Sequence, residues 1–333
     1  MYSRFFGFIL SVFVSFTLVA AASPIAVRAA IDLGTGGPKL QVAEVNLETG
    51  KIVKIVHTEQ FFVNFHQSLR KNSHFSEEIK AKGLEAFKKA IEKSRVFNPD
   101  GIVAVATAAF RHAKNGLEFA QEIQEETGIK VHVIDQLLEG TLPFLAVLAK
   151  IETAPQHLLV WDVGGRSIQF VGTDLEGICH IDGSNEGSGP FRDYIIEKIQ
   201  GRSIDEYNSP NPISAVDVGQ ALAYGRYLSE KVDPSFQNKI KATHSIIGVG
   251  SVFKSISKIV GKTSFTQEEL AVVVNALINK TDEDLGGGDF ACVEASNAIL
   301  VLGFMEGLQI ERLEIIHVNN ADGALTHGPF WNP

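Results

Sequence analysis

Apolar and polar positions alternate with a period of two over Lys39 to Val45 and again over Lys51 to Thr58, with a turn at Gly50 between them. That period puts successive side chains on opposite faces, so the two stretches predict a β-hairpin. Ahead of them, Val27 to Leu33 is an apolar run, the pattern of a buried strand. Ser76 then stands as an N-cap before Ile79, Leu84, Phe87, Ala90 and Ile91, which recur at helical spacing. Gly101 to Thr107 predicts a buried strand, and Ala108 to Ile123 a helix. Lys130 to Ile134 predicts a strand, and Glu139 to Ile151 a helix that Pro143 starts or kinks.

The second half repeats the plan. Leu158 to Val163 and Ser167 to Asp174 predict a hairpin that Gly177 to Asp182 extends. Helices are expected over Gly189 to Ile199, Ala215 to Val232, Thr266 to Lys280 and Asp289 to Leu308. Short strands are expected at Ile246 to Val249 and Glu314 to Val318, with a terminal turn over Ala321 to Gly328. Each half gives hairpin strands first and βα units afterwards. This is α/β architecture present twice, with a cleft between two lobes. A chain of 333 residues fits two domains better than one core.

Two loops occupy equivalent places in the two halves. Ala29 to Gly37 and Leu158 to Ser167 each run from an apolar strand into an Asp, Asp32 or Asp162, and then into small residues. Glycines let backbone N–H groups approach a phosphate closely. A carboxylate on a rigid strand end can hold a divalent cation, directly or through water. Two such loops facing each other form a clamp for a phosphate chain and its metal. Turn-forming Asp and Gly give a blander account of either loop alone.

The N-terminus is a separate object. Arg4, the apolar run Phe5 to Val19 and the small residues Ala20 to Ala22 predict a secretory signal peptide over residues 1–22. The competing reading, an uncleaved anchor, needs a run of roughly 18–20 residues. Nothing later in the chain is expected to span a bilayer. An exported location, periplasmic or secreted, follows. With a net charge of −9, neither nucleic acid nor an anionic membrane surface is expected as a general partner. Cys179 and Cys292 are the two cysteines, and pairing or two buried free thiols are both open. No Cys/His spacing suits structural zinc. No G-x-S-x-G elbow or H-E-x-x-H occurs, and Ile256 occupies the Gly position upstream of Gly261-Lys262-Thr263, so that stretch is not a Walker A loop.

Taken in order, these blocks resemble the exopolyphosphatase/guanosine pentaphosphate phosphohydrolase (Ppx/GppA) family of the actin-like ATPase superfamily. Ala30 to Gly36 resembles its first phosphate loop, and Phe75 to Phe87 its S-x-E-A-I-x-R-G-L helix. Ala104 to Asn115 is similar to its G-T-x-x-L-R-x-A-x-N block, and Ile134 to Glu139 to its I-S-G-x-E-E block. Asp162 to Ser167 resembles its D-I-G-G-G-S loop, Ile247 to Ser251 its third Gly-rich element, and Ala321 to Gly328 its G-L-R-x-G terminus. The resemblance implies two duplicated ribonuclease H-like domains, placed at 27–142 and 143–333, with the C-terminal tail free to pack back on the first.

It also implies a Mg²⁺-dependent phosphoanhydride hydrolase that releases terminal phosphate from polyphosphate or a guanosine pentaphosphate-type nucleotide. Glu139 is then the catalytic base, and Asp32 and Asp162 are the Mg²⁺ ligands. Gly34, Thr35, Gly36, Arg111, Gly164, Gly165, Arg166, Ser167, Gly248, Gly250 and Ser251 are the phosphate-binding set. A homodimer is left open. Four departures stand out: Thr35-Gly36-Gly37 in the first loop, Leu138 for the first Glu of the pair, Arg166 for the third Gly of the second loop, and Gln169 for the Glu after it. Ala106 to Arg111, Glu139-Gly140 and Asp162 to Gln169 are also similar to apyrase-type nucleoside triphosphate diphosphohydrolases, which keeps an exported nucleotidase as an alternative. A non-catalytic nucleotide or phosphate sensor on the same fold is the other.

Overall fold

The computed structural model describes residues 24–331 except 152 and 244, so the signal peptide expected over residues 1–22 lies outside the described residues. The first lobe begins with β1 (Ile25–Gly34), β2 (Gly37–Asn46) and β3 (Ile52–Gln60). It continues through α1 (Phe65–Asn72), α2 (Glu77–Arg95), β4 (Gly101–Ala106), α3 (Ala108–His112), α4 (Gly116–Thr127) and β5 (Val131–Val133). A helix, α5 (Gln136–Leu148), leads to β6 (Leu158–Val163), β7 (Ile168–Thr173) and β8 (Cys179–Ser184). Then come α6 (Ser188–Tyr194), α7 (Ala215–Ser229), α8 (Pro234–Ala242), β9 (Ser245–Val249), α9 (Gly250–Val260), β10 (Ser264–Thr266), α10 (Gln267–Ala276), α11 (Ala291–Leu308), β11 (Arg312–Ile315) and α12 (Asn320–Thr326).

The sheet orders are β3-β2-β1-β4-β5 and β10-β11-β9-β6-β7-β8. In each sheet an antiparallel three-strand meander is flanked, beside its first strand, by a parallel strand: β1 pairs β4, and β6 pairs β9. The duplication expected from the hydrophobic pattern is therefore present in strand order, and it puts Asp32 and Asp162 at matching strand ends.

Three apolar layers fix the two sheets. Phe65, Phe75, Phe87, Phe110 and Phe119 fill the outer face of the first sheet. Trp161, Phe170, Phe253 and Phe304 anchor the outer core of the second. Between the sheets lie α5 and α12: Ala30, Val103 and Val105 pack with Leu142, Ala321 and Leu325, while Val160, Val171 and Val249 pack with Phe144 and Val147. The two helices cross so closely that a Cβ on Gly323 would stand 2.4 Å from the Leu142 carbonyl oxygen. The C-terminal segment thus returns to the first lobe, and the 142/143 boundary falls inside α5.

Several elements differ from the sequence expectation, each for a local reason. The helix expected over 108–123 is broken at residues 113–115, where the turn is so tight that a Cβ on Gly116 would stand 1.9 Å from the Phe110 carbonyl oxygen, so only glycine fits. The helix α5 starts at Gln136 because Asp135 Oδ1 accepts from the Leu138 N–H at 2.8 Å, which places Glu139 one turn in and Pro143 mid-helix. The terminal turn is instead α12, opened by a capping box between Asn319 and Asp322. α11 also corrects the membrane reading: its 18 residues have a mean hydropathy of 1.4, long and apolar enough to span, yet 72% of it is buried as the central helix of the second core. Cys179 on β8 and Cys292 on α11 are both free thiols.

Candidate active site

The site is built on the two matching strand ends. In the β1–β2 ladder Asp32 lies directly opposite Lys39, and Lys39 Nζ stands 3.6 Å from Asp32 Oδ2. In the β6–β7 ladder Asp162 lies directly opposite Gln169. Both aspartates are buried, and they share their surroundings with Glu139 of α5, which is 5% exposed. Arg111 Nη2 forms an ion pair with Glu139 Oε2 at 2.5 Å, while its Nη1 donates to the Ile134 carbonyl at 2.9 Å. Ser167 Oγ stands 3.5 Å from Glu139 Oε1.

Three buried carboxyl groups in one region destabilise one another's charge. Burial first, and then the nearby Glu139 and Asp32, raise the Asp162 pKa to about 8 against the opposing pull of Lys39. Burial also raises Asp32 and Glu139 above the usual carboxylate range, with Lys39 and Arg111 respectively pulling the other way. The region is thus short of positive charge and suits a cation.

The donor set fits a hard divalent ion. Asp32 Oδ1 is buried without a hydrogen-bond partner among the described residues. Among those residues no group of three or more His, Cys, Asp or Glu side chains is spaced to wrap a metal. Magnesium suits such a place because it keeps several waters and takes one or two carboxylates plus substrate phosphates.

The glycine loops meet each other. A Cβ on Gly165 would stand 2.7 Å from Thr35 Cβ, so the first loop rests on the second. Gly34 lies beside the Asp32–Lys39 pair: its Cβ would be 3.7 Å from Lys39 Nζ. The Gly164 N–H donates to the Ser167 carbonyl at 2.8 Å, which closes the second loop. At Gly250 a φ of +90° and a distance of 2.4 Å from a built Cβ to Asp162 Oδ1 leave no room for a side chain.

The structure therefore brings Asp32, Asp162, Glu139, Arg111, Gly34, Thr35, Gly165, Ser167 and Gly250 together. Gly164 belongs to the same loop. Gly36 lies at the rim, where a Cβ would be 3.9 Å from the Phe290 ring. Ser251 is exposed in the first turn of α9. Gly248 has a packing role, since a Cβ there would stand 2.8 Å from the Phe253 ring. Arg166 turns aside, with its Nη1 3.2 Å from His66 Nδ1.

Lys39 and Asn320 were not among the sequence candidates. A tight Thr35-Gly36 turn makes Lys39 the cross-strand partner of Asp32 by hairpin register, so that signal was present. Asn320, in the first turn of α12, lowers the proton affinity of Asp32, and that helix is one the sequence pattern did not show.

Residues 42–177 match the model of the Ppx/GppA phosphatase family. A bifunctional 3-dehydroquinate synthase/phosphatase of Fusobacterium nucleatum is 29% identical over 197 residues, which cover 57% of this chain and 29% of that protein. An uncharacterized protein of Streptomyces coelicolor is 26% identical over 139 residues, or 42% of this chain and 40% of that protein. The matched stretches thus span less than half the length of these curated relatives. The crystal structure of an Aquifex aeolicus member of the Ppx/GppA family superposes with a TM-score of 0.70 at 19% identity, covering 92% of this chain and 98% of that one. An exopolyphosphatase from Cytophaga hutchinsonii superposes with a TM-score of 0.72 at 17% identity, covering 90% and 96%. At these identities the likeness is one of fold: two α/β lobes.

Proposed function

We propose that the protein is a phosphoanhydride hydrolase that releases terminal phosphate, a reading supported by the match of residues 42–177 to the Ppx/GppA phosphatase family model and by the two-lobed fold shared with a member of that family. The observation that carries the reading is Glu139: a buried carboxylate with raised proton affinity, facing an aspartate from each lobe. A base works best with a pKa near the working pH, and burial moves Glu139 toward it.

In this reading Glu139 accepts a proton from a water molecule. The water oxygen forms its bond to the terminal phosphorus as the bridging P–O bond breaks, and the leaving phosphate takes the electron pair. Arg111 and Ser167 hold the Glu139 carboxylate in place. Backbone N–H groups of the two glycine loops stabilise the charge that develops on the phosphoryl oxygens. Mg²⁺, held by Asp32 and Asp162, would neutralise phosphate charge when bound.

Of the two substrate types, the nucleotide has the better support. A cleft of about 490 Å³ opens beside the first loop, lined by Phe62, Gln67, Lys82, Asp282 and Asp289 among others. The Phe62 ring meets Phe290 edge-to-face at 5.3 Å, and Phe290 borders Gly36. Such a cleft suits a nucleoside, whereas a long polyphosphate tail would meet two aspartates against one lysine. Export is proposed on the apolar run Phe5 to Val19 and the small residues Ala20 to Ala22.

A second reading, a non-catalytic phosphate or nucleotide sensor, draws on Gln169. Its amide is fully buried with neither polar atom partnered among the described residues, and it stands where a carboxylate would be expected. The test is phosphate release from a guanosine pentaphosphate, ATP, ADP and polyphosphate, with Mg²⁺ or EDTA. Release that needs the metal and disappears in Glu139→Ala supports the hydrolase. Preference for ATP and ADP favours an apyrase-type nucleotidase. Tight binding with no release selects the sensor.

A further inference from the structure

His66 of α1 is buried where the two lobes meet. Its Nε2 lies 2.8 Å from Asp193 Oδ2 on α6. Its Nδ1 lies 3.2 Å from Arg166 Nη1 in the second glycine loop. A guanidinium has donors only, so Nδ1 accepts from Arg166, and Nε2 carries the proton and donates to Asp193. The contact therefore requires the neutral ring in one tautomer.

The second lobe is shaped around this ring. A Cβ on Gly189 would stand 2.5 Å from His66 Cε1. Arg192 Nη2 braces Asp193 Oδ1 at 3.0 Å. The Ser188 and Gly189 N–H groups donate to the Gly164 and Gly165 carbonyls at 3.0 and 2.8 Å, which joins α6 to the glycine loop. Arg166, Asp193, α6 and the loop thus form one unit, and His66 reaches into it from the other lobe.

We propose that His66 is a positioning residue: as a neutral imidazole it ties the first lobe to the Arg166 loop and to α6, and its protonation loosens that tie. A proton on Nδ1 removes the acceptor for Arg166 and sets an imidazolium against a guanidinium. The charged groups facing the ring are Arg166 from the loop and Asp193 and Arg192 from α6. Burial lowers the proton affinity of His66 most, Arg192 and Arg166 lower it too, and Asp193 opposes them. The unfolded chain therefore takes up the proton before the folded one does. The free energy that holds the tie is complete above the ordinary histidine value of 6.5 and declines as pH falls from there toward the lower value of the folded ring. Its consequence for catalysis rests on reading Gly164 to Ser167 as a phosphate loop, but the tie itself is measurable without substrate.

The test is amide hydrogen exchange at Gly164, Ser188 and Gly189 in the protein from about pH 5 to pH 8, corrected for intrinsic rates. Protection should fall toward acid by up to about tenfold per pH unit, the limit for one linked proton. His66→Asn keeps an acceptor for Arg166 and has no proton to gain, so its protection should stay flat with pH. Protection that is flat in the wild type, or that falls equally in His66→Asn, overturns the proposal. Should the variant fail to fold, ring ¹⁵N shifts of the wild type decide: the Nε2–H tautomer near neutral pH supports the tie, and the Nδ1–H tautomer sinks it.

Discussion

Gly250 lies against Asp162 so closely that a Cβ at position 250 would stand 2.4 Å from Asp162 Oδ1, at a backbone φ of +90°. The first residue of α9 thus determines where the second-lobe carboxylate sits. Gly250→Ala should cost about 1–3 kcal/mol in stability, the usual range for a side chain forced into a sparsely populated backbone region. It should also displace Asp162 and lower metal-dependent phosphate release. Thermal unfolding and activity measured on the same preparation check both effects. A stable variant with full activity would remove Asp162 from the list of ligands.

The carboxylate cluster makes stability depend on pH and on cations together. In the folded protein Asp162 keeps its proton up to about 8, whereas the ordinary value is 3.8. The folded state therefore binds more protons than the unfolded one within that window. Stability of the cation-free protein should fall as pH rises through it, and Asp32 and Glu139 push in the same direction. A bound cation replaces the proton, so Mg²⁺ should raise the melting temperature more at about pH 8 than at about pH 6. Equal shifts at both pH values, or none, would show that no cation sits among these carboxylates.

Glu139→Gln keeps the size of the side chain and removes its ability to take a proton. Phosphate release should drop by about 10²–10⁴, the usual share of a general base, while circular dichroism stays that of the wild type. Arg111 keeps its bond to the Ile134 carbonyl, so the local fold has a second anchor. Full activity in this variant would return Glu139 to the role of an ordinary first-turn acid of α5, stabilised by the helix dipole.

Much of this site was legible because its parts are local. An apolar run, an Asp and small residues define both β1 and β6, and alternation alone gives β2 and β3. Lys39 is recoverable from the same hairpin by counting across the turn. The helix α8 carried a signal too, an Asp233 cap before Pro234 at the first helical position. What the sequence did not show is set by tertiary contact. The His66–Arg166 pair spans 100 residues of chain. The short α12 holds its place through Gly323 against Leu142 and through Asp322 Oδ1, which accepts from Gln41 Nε2 at 2.6 Å. Gly248 looked like a phosphate glycine, but the Phe253 ring that makes it necessary could not be seen from spacing.

The contact between the two glycine loops gives the last prediction. A Cβ on Gly165 would meet Thr35 Cβ at 2.7 Å and Thr35 Cγ2 at 3.0 Å. Gly165→Ala must therefore push the loops apart by a few tenths of an ångström or more, since Thr35 sits on a short hairpin turn and cannot swing away. The effect should fall on substrate binding, with KM raised several-fold and the cores untouched. Thr35→Gly removes the obstructing atoms, so the double variant should recover much of the loss from Gly165→Ala. That non-additivity is the measurement: residues in contact couple by about 0.5–3 kcal/mol, whereas distant sites add. A double variant whose KM is the simple product of the two single effects would mean that the loops do not touch in the state that binds substrate.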